Sequence, residues 1–341
     1  MLRKVGWELR WQIRRRIADV RSPRVNYTRG LDKWAGVDLT AIQRAASPGV
    51  VLYGGGAVCP PGVRRIPEDV GATPGERLQG IAVVDETTPD ATRRRLAALA
   101  GEGLGIATLN ALRLGIIEPV ASRALRLSSV DLDGEYNFKV RSPKLNLLFV
   151  DVPKNASSTI KTVLFSLEKG DNVNPAWARY VYHRRWQPAF PDMVVDWADI
   201  PWQSYLRFAF VRNPYERILS SYLNSGWRFR HGDKTFREFV AELPDLVQRP
   251  NSDMQAMHQK PFGHFVPRVD GELFLDFVGR CESFDDDFNE VLSSAGVTAR
   301  VSPPVVNASD HAGYREHYDV ASRRVVEHLY GDELELGRYT F

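Results

Sequence analysis

The sequence predicts an α/β protein in which a parallel sheet is flanked by helices, with an additional α/β region on its N-terminal side. In the second half, apolar runs of strand length at 145–150 and 206–211 are each followed by a polar loop and then by apolar residues at helical spacing. In the first half, apolar runs at 49–53, 81–84 and 105–109 alternate with a helical pattern at 89–100. Such alternation of strands and helices is typical of parallel sheets.

Composition excludes several classes of protein. The 341 residues are 43% hydrophobic and 26% charged, as in folded globular chains. The net charge of +3 gives no argument for a nucleic-acid partner. The two cysteines, Cys59 and Cys281, form neither a zinc set nor a disulfide framework. No apolar run approaches the roughly 18–20 residues that span a membrane, and no secretory signal is apparent. We therefore expect a cytoplasmic protein without a metal.

Three segments are predicted. Residues 1–35 form a basic amphipathic helix, for which packing on the protein is favoured over contact with an anionic, peripheral membrane surface. Residues 36–140 form a small α/β region without an assigned role. Its glycines 54–56 suit either a phosphate cradle or a plain loop, and the plain loop is favoured because no helical pattern follows. Residues 141–341 form the working domain, whose boundary falls within a polar stretch at 131–144 that we expect to be irregular.

The polar loop after the strand at 145–150 is the first candidate site. A helix that starts in such a loop directs free backbone N–H groups and the positive end of its dipole at one place. Small hydroxyl residues and a lysine occupy this place, which suits a phosphate or sulfate group. The alternative is an ordinary turn with a Ser or Thr N-cap. The loop consists of Pro153, Lys154, Asn155, Ala156, Ser157, Ser158 and Thr159.

The second strand–loop–helix unit places Arg212 at the carboxyl end of a strand, where open α/β sheets bind ligands. Pro214 suits the first position of the helix that follows. The guanidinium of Arg212 is suited to phosphate, and the hydroxyl of Ser220 can complete the contact. We expect Arg217 to be a solvated or sheet-bridging charge.

The remaining elements are predicted from periodicity. Helices are expected at 236–243, 284–292 and 314–329, and a strand is expected at 273–278. Ser283 is the candidate N-cap of the second of these helices. The acidic residues of the final segment are expected to be solvated.

Four stretches together resemble a known family. PKNASST follows the first strand and RNPYERILSSY spans the second loop. Two later stretches are FVGRCESFDDDFNEVL and SDHAGYREHYDVASRRVVEHLYGDELELGRY. The chain from about 145 to 341 resembles the PAPS-dependent carbohydrate sulfotransferases, and is similar to the Golgi chondroitin and dermatan sulfotransferases. PAPS is 3′-phosphoadenosine 5′-phosphosulfate.

The resemblance implies a P-loop-like sulfotransferase fold, PAPS as donor, 3′-phosphoadenosine 5′-phosphate as product and no metal. Lys154 would contact the transferring sulfuryl group, and the rest of the loop 153–159 would wrap the 5′-phosphate. Arg212 and Ser220 would hold the 3′-phosphate. The chain departs from many relatives at 224–226, where Asn-Ser-Gly stands in place of a lysine, which puts acceptor contacts there in doubt.

The acceptor hydroxyl requires a base, and His183 is the best candidate because it lies between the two nucleotide motifs. Asp196, Asp199 and Glu168 are weaker candidates. Aromatic and basic residues at 177–190 favour a carbohydrate, glycolipid or glycosylated small-molecule acceptor. Other histidines stay open as bases at positions 258, 264 and 311, whereas those at 231, 317 and 328 are expected to be solvated.

Two other functions compete with sulfate transfer. A nucleotide kinase of the P-loop type is disfavoured because the loop lacks the GxxxxGK[ST] spacing and Lys154 precedes the small residues. A non-catalytic nucleotide- or sugar-binding protein with a sulfotransferase fold is disfavoured by the presence of Lys154, Arg212 and Ser220.

Overall fold

The structure is a computed structural model, and the statements below concern the residues that it describes. These are 34–35, 37–46, 50–56, 58–67, 69–70, 78–99, 104–114, 139–170, 193–195, 204–223, 234–250, 253–266, 268–269, 272–303 and 313–341.

The described residues form strands and helices that alternate along much of the chain. The strands are β1 Val50–Tyr53, β2 Val63–Arg65, β3 Gly80–Val84, β4 Leu104–Thr108, β5 Lys139–Ser142, β6 Leu147–Val150, β7 Val194–Val195, β8 Leu206–Val211, β9 Arg268–Val269, β10 Glu272–Leu273 and β11 Phe277–Arg280. The helices are α1 Leu39–Ala45, α2 Asp90–Leu99, α3 Leu109–Arg113, α4 Ser157–Lys169, α5 Pro214–Tyr222, α6 Phe236–Ala241, α7 Leu243–Leu246, α8 Met254–Met257, α9 Phe262–Phe265, α10 Phe284–Ser294, α11 Val320–Leu329 and α12 Gly331–Gly337.

The first sheet is parallel, with strand order β2-β1-β3-β4. The three strands and the helix predicted in this region are confirmed within one residue at each end, whereas β2 and α1 were not predicted. The glycine loop after β1 packs against the sheet itself. A Cβ atom at Gly55 would lie 2.3 Å from the Tyr53 hydroxyl, which donates to Asp85 at 2.5 Å. Glycine is therefore required at position 55 by packing, in line with the plain-loop interpretation.

The second sheet carries the candidate site. Its strand order is β11-β8-β6-β5-β7, with β6, β8 and β11 mutually parallel and β5 antiparallel to β6 and β7. Helices α4 and α10 cover one face through contacts with Phe149 and Phe208, and α8 and α9 cover the other through contacts with Val150 and Val211. The α/β prediction, with helices on a parallel sheet, is confirmed.

Three sequence predictions in this part of the chain were wrong in detail. Residues 139–142, expected to be irregular, form β5. The strand expected at 273–278 begins at Phe277, because Asp276 turns the chain and accepts hydrogen bonds from the backbone and guanidinium of Arg207. The helix expected at 314–329 starts with a 3-10 turn and begins again at Val320, where the Asp319 carboxylate accepts from the Ser322 N–H.

The two sheets are joined by a buried arginine of α2. The Arg93 guanidinium donates to the Asn146 side chain at 2.6 Å and to the Ser204 carbonyl at 2.6 Å, and it lies over the Tyr205 ring. It also donates to the carbonyls of Asp85 and Thr88 in its own unit. Asn146 immediately precedes β6, and Ser204 lies just before β8. The first sheet therefore contacts the amino ends of these two strands.

A buried ion pair anchors the helices that follow the sheet. Arg217 and Glu333 lie 2.9 Å apart, with side chains 0% and 1% exposed. Glu333 also accepts from the Phe262 N–H. The expectations that Arg217 is solvated or sheet-bridging and that the late acidic residues are solvated were therefore wrong at this pair. The pair connects α5, which follows the Arg212 loop, to α12.

Candidate functional site

The loop between β6 and α4 has an unusual backbone for residues that are not glycine. Lys154 and Ala156 adopt left-handed conformations, with φ of 71° and 59°. Ala156 is the N-cap of α4, and its side chain makes no capping hydrogen bond. The ordinary turn with a Ser or Thr cap is thus excluded. A thirteen-residue helix presents an uncapped N-terminus, beside a lysine, at the carboxyl edge of the sheet.

Side chains of the loop fix its shape. The Asn155 amide donates to the Phe210 carbonyl of β8 at 2.7 Å, and the Ser157 hydroxyl donates to the Val152 carbonyl at 2.8 Å. Asn155 is fully buried. Ser157 is therefore engaged by the loop itself, so its hydroxyl is not the free donor that the sequence suggested. The other predicted residues, Pro153, Ser158 and Thr159, lie in the same loop and first helical turn.

The second loop lies beside the first. The Arg212 guanidinium approaches the Lys154 carbonyl at 3.4 Å and Glu216 at 3.5 Å, and it retains partial solvent exposure. The Asn213 side chain caps α5 by accepting from the Tyr215 N–H, and Pro214 occupies the first helical turn, as expected. Ser220 lies six residues further along this helix and is buried. The structure thus brings Lys154 and Arg212 together at adjacent strand ends.

The electrostatics of the two loops are unfavourable for the protein alone. The pKa of Lys154 is lowered to about 8, first by burial and then by the positive charge of Arg212. Two cations held close together in a partly desolvated place are stabilised by an anion between or beside them. The arrangement therefore favours a ligand with negative charge.

A buried ion pair lies directly beside the lysine loop and was missed by the sequence analysis. Lys161 of α4 contacts Asp151, the residue after β6, at 2.5 Å, and both side chains are 8% exposed. The signal in the sequence was only a carboxylate at the strand end and a lysine ten residues later. Lys161 is thereby engaged with a carboxylate, which leaves Lys154 as the loop lysine next to Arg212.

Two further missed residues adjoin Arg212. Glu282, just after β11, accepts from the Asn213 N–H at 2.9 Å, and the Tyr339 hydroxyl lies 2.5 Å from the other oxygen of this carboxylate. Both residues stand in stretches whose resemblance to the family was noted, but periodicity gave no reason to bring them to the site.

The candidate bases are only partly described. His183, Asp196 and Asp199 lie outside the described residues, so the assignment of His183 stays a prediction. Glu168 is excluded by its position. It accepts from Ser142, which pairs with the first residue of β6, so it lies at the sheet edge opposite the lysine loop. Eleven residues of helix separate it from Ser157, about 16 Å.

The remaining histidines are described in part. His258 follows α8 and His264 lies in α9, both half-buried, and their candidacy as bases stays a prediction. His317 packs against Phe236, and His328 is exposed. Positions 231 and 311 lie outside the described residues.

A family model described as "Sulfotransferase family" matches residues 138–339, which include both loops, the Glu282 segment and Tyr339. The chain belongs to the sulfotransferase family. The structural elements from β5 to the turn after α12 are therefore those of a sulfotransferase, and the resemblance noted in the sequence is confirmed.

Curated relatives match a shorter part of the chain. Carbohydrate sulfotransferase 11 of Mus musculus is 26% identical over 126 residues, which cover 30% of this chain and 36% of the relative. The Rattus norvegicus protein of the same name gives the same values. An uncharacterized protein of Archaeoglobus fulgidus is 25% identical over 108 residues, covering 31% of this chain and 80% of its own. The match thus spans about a third of the length of the two named relatives.

No solved structure matches the chain significantly. Among the described residues, no helix has the length and apolarity needed to cross a membrane. The same residues contain no group of three or more His, Cys, Asp or Glu side chains placed to hold a metal ion. The basic segment 1–35 lies almost wholly outside the described residues, so its contact with a membrane stays a prediction.

Proposed function

We propose that the protein transfers the sulfuryl group of PAPS to a hydroxyl of a carbohydrate or glycosylated acceptor by in-line displacement. The observation that carries this proposal is the pairing of Lys154 with Arg212 at the uncapped N-terminus of α4. The burial of Lys154, and secondly its repulsion by Arg212, lower the pKa of the lysine, so the site is electrostatically incomplete without an anion.

The donor fits the two loops in charge and in number of anionic groups. PAPS carries a phosphosulfate at its 5′ end and a phosphate at its 3′ end, and the two loops offer one cation each at the ends of neighbouring strands β6 and β8. The uncapped helix adds backbone N–H groups on the lysine side. We assign the 5′ end to the loop 153–159 and the 3′-phosphate to Arg212 and Ser220.

When bound, the donor supplies a sulfuryl group attached to a phosphate leaving group. The ammonium of Lys154 stabilises the negative charge that develops on the leaving oxygen. Arg212 orients the nucleotide by a charge-assisted contact at its far end. We assign to His183 the removal of the proton from the acceptor hydroxyl.

The acceptor class is inferred from the relatives and from the sequence. The named relatives are carbohydrate sulfotransferases. The aromatic and basic residues of segment 177–190 suit a sugar ring with acidic groups. We therefore propose a glycan, glycolipid or glycosylated small molecule as acceptor.

Thermal stabilisation by 3′-phosphoadenosine 5′-phosphate, compared with ATP plus magnesium, tests the donor. We expect stabilisation by the former, and preference for ATP would favour the kinase hypothesis instead. Transfer of labelled sulfate from PAPS to a panel of glycans then tests activity, with phenols and peptides as competing classes. Nucleotide binding without transfer to any acceptor would favour the non-catalytic hypothesis. His183→Ala should abolish turnover with donor binding unchanged, and full turnover would refute the base assignment.

A further inference from the structure

The segment after α12 folds back onto the end of β8. The helix ends at Gly337, and Arg338 turns the chain with a φ of 53°. The Tyr339 N–H then donates to the Leu334 carbonyl at 2.8 Å. A Cβ atom at Gly337 would lie 1.9 Å from the Tyr339 ring, so glycine at this position permits the ring to cross the helix end.

The Tyr339 hydroxyl contacts the backbone before Arg212 directly and the backbone after Arg212 through Glu282. It lies 3.4 Å from the Val211 carbonyl and 2.5 Å from one oxygen of Glu282. The other oxygen of Glu282 accepts from the Asn213 N–H at 2.9 Å. Partial burial and the Glu282 carboxylate raise the pKa of Tyr339, so the phenol keeps the proton that it donates.

Arg212 itself has weak side-chain restraints. Its contacts with the Lys154 carbonyl and Glu216 are 3.4 Å and 3.5 Å long, near the limit for a hydrogen bond. The direction of its guanidinium therefore depends on how firmly the backbone of residues 211–213 is held. The Glu282 carboxylate and the Tyr339 phenol supply that support from 69 and 128 residues further along the chain.

We propose that Tyr339 and Glu282 are positioning residues that hold Arg212 in the orientation required by the 3′-phosphate of the donor. The inference rests on the proposed function, because that function assigns the 3′-phosphate to Arg212. It makes the hydroxyl of Tyr339 a determinant of the selectivity for a nucleotide with a 3′-phosphate over one without it.

The hydroxyl can be removed without releasing the segment. Phe341 packs against the rings of Tyr215, Tyr314 and Tyr318, with the nearest centroid at 4.9 Å, and these contacts do not involve the Tyr339 hydroxyl. The ring of Tyr339 keeps its contact with the Arg280 guanidinium in a phenylalanine variant, whereas the hydrogen bond between Arg280 and the hydroxyl is lost together with the Glu282 contact. Tyr339→Phe is therefore a specific test of the hydroxyl.

The experiment compares the binding of 3′-phosphoadenosine 5′-phosphate with that of adenosine 5′-phosphate, by calorimetry on the full chain. Tyr339→Phe should weaken the first by about tenfold and leave the second within twofold. Glu282→Ala should act likewise. Glu282→Gln should retain most of the selectivity, because its amide oxygen still accepts from the Asn213 N–H. In an Arg212→Ala background, Tyr339→Phe should have no further effect.

Tyr330→Phe is the matched control. It also removes a buried hydroxyl, which donates to the Gln259 carbonyl at 2.7 Å. This hydrogen bond does not involve the Arg212 loop, so the selectivity should be unchanged. Equal weakening of both nucleotides by Tyr339→Phe, or no weakening, would overturn the inference. A wild-type protein that does not prefer the 3′-phosphorylated nucleotide would instead overturn the proposed function. If Tyr339→Phe does not fold, Glu282→Ala and Glu282→Gln decide the same question.

Discussion

The guanidinium of Arg212 lies 3.4 Å from the main-chain carbonyl oxygen of Lys154, so the loop after β8 contacts the loop after β6. The two side chains repel each other, and the pKa of Lys154 is lowered to about 8 by burial and by this repulsion. The two loops therefore lie close enough for the charge of one to lower the pKa of the lysine in the other, which makes their combined charge sensitive to pH.

Affinity for a 5′-phosphorylated ligand should fall as the pH rises through about 8. The protonated lysine attracts the anion, and its fraction drops about tenfold for each pH unit above its pKa. Adenosine 5′-phosphate is the suitable probe because it lacks the 3′-phosphate. Arg212→Gln should move the midpoint to higher pH by removing the repulsion. Calorimetry between pH 6.5 and about 10 measures this, and a midpoint unaffected by the substitution would contradict the coupling.

Lys154→Ala should lower kcat by about 10²–10³-fold, because a positioned charge at the leaving oxygen is lost. Arg212→Ala should act mainly on donor affinity and therefore on KM for the donor. Lys169→Ala is the control, because Lys169 lies at the end of α4 far from the loop of Lys154. Its kcat and donor KM should be near those of the wild type. Steady-state rates with labelled PAPS check both, and full activity in either site variant would refute the assignment.

Lys154→Met should stabilise the protein without its ligand. The pKa of Lys154 in the folded protein lies below the ordinary value of 10.5, so between about 8 and 10.5 the unfolded chain binds more protons. The resulting decrease in the free energy of unfolding is complete below about pH 8 and disappears as the pH approaches 10.5. We expect a gain of about 1–3 kcal/mol at pH 7 that vanishes near pH 10.5. Urea unfolding at both pH values tests this, and a pH-independent difference would argue against a shifted lysine.

Asn155→Ala should weaken donor binding and reduce stability by about 1–3 kcal/mol, because the Phe210 carbonyl loses a buried donor. Asn289→Ala is the control. Its amide donates to the Val301 carbonyl at 2.9 Å outside the two loops, so it should lower stability without changing donor affinity. Equal effects of both variants on donor affinity would show that the Asn155 contact has no particular role in the loop.

Arg93→Met should destabilise the protein by about 3–5 kcal/mol, since several buried acceptors lose their donor at once. Donor affinity, measured at denaturant concentrations well below the unfolding midpoint, should be unchanged. Arg93 contacts the amino ends of β6 and β8, whereas the two loops lie at the carboxyl ends. Arg94→Met, an exposed neighbour, should be neutral. Denaturant titration measures this, and a neutral Arg93→Met would mean that the two sheets are not joined through this residue.

The fold and the two loops could be predicted because they depend on local patterns. Apolar runs of strand length and the residues that follow them placed β6, β8, Lys154 and Arg212 correctly. The contacts that support these loops were not predictable, because they depend on which distant residues the fold brings together. Asn155 was assigned to the phosphate, yet its amide holds β8, and Tyr339 reaches Glu282 across 57 residues. Likewise Arg217 and Glu333 look like surface charges in the sequence, and only their pairing explains their burial.

The left-handed backbone at Lys154 and Ala156 has a kinetic consequence. Such conformations cost about 1–3 kcal/mol each, and the folded chain maintains them before any ligand arrives. We expect the loop to keep this shape when a ligand binds, so little rearrangement should accompany encounter. Association rates of different nucleotides should then be similar and set by diffusion and charge, whereas their affinities should differ through the lifetimes of their complexes.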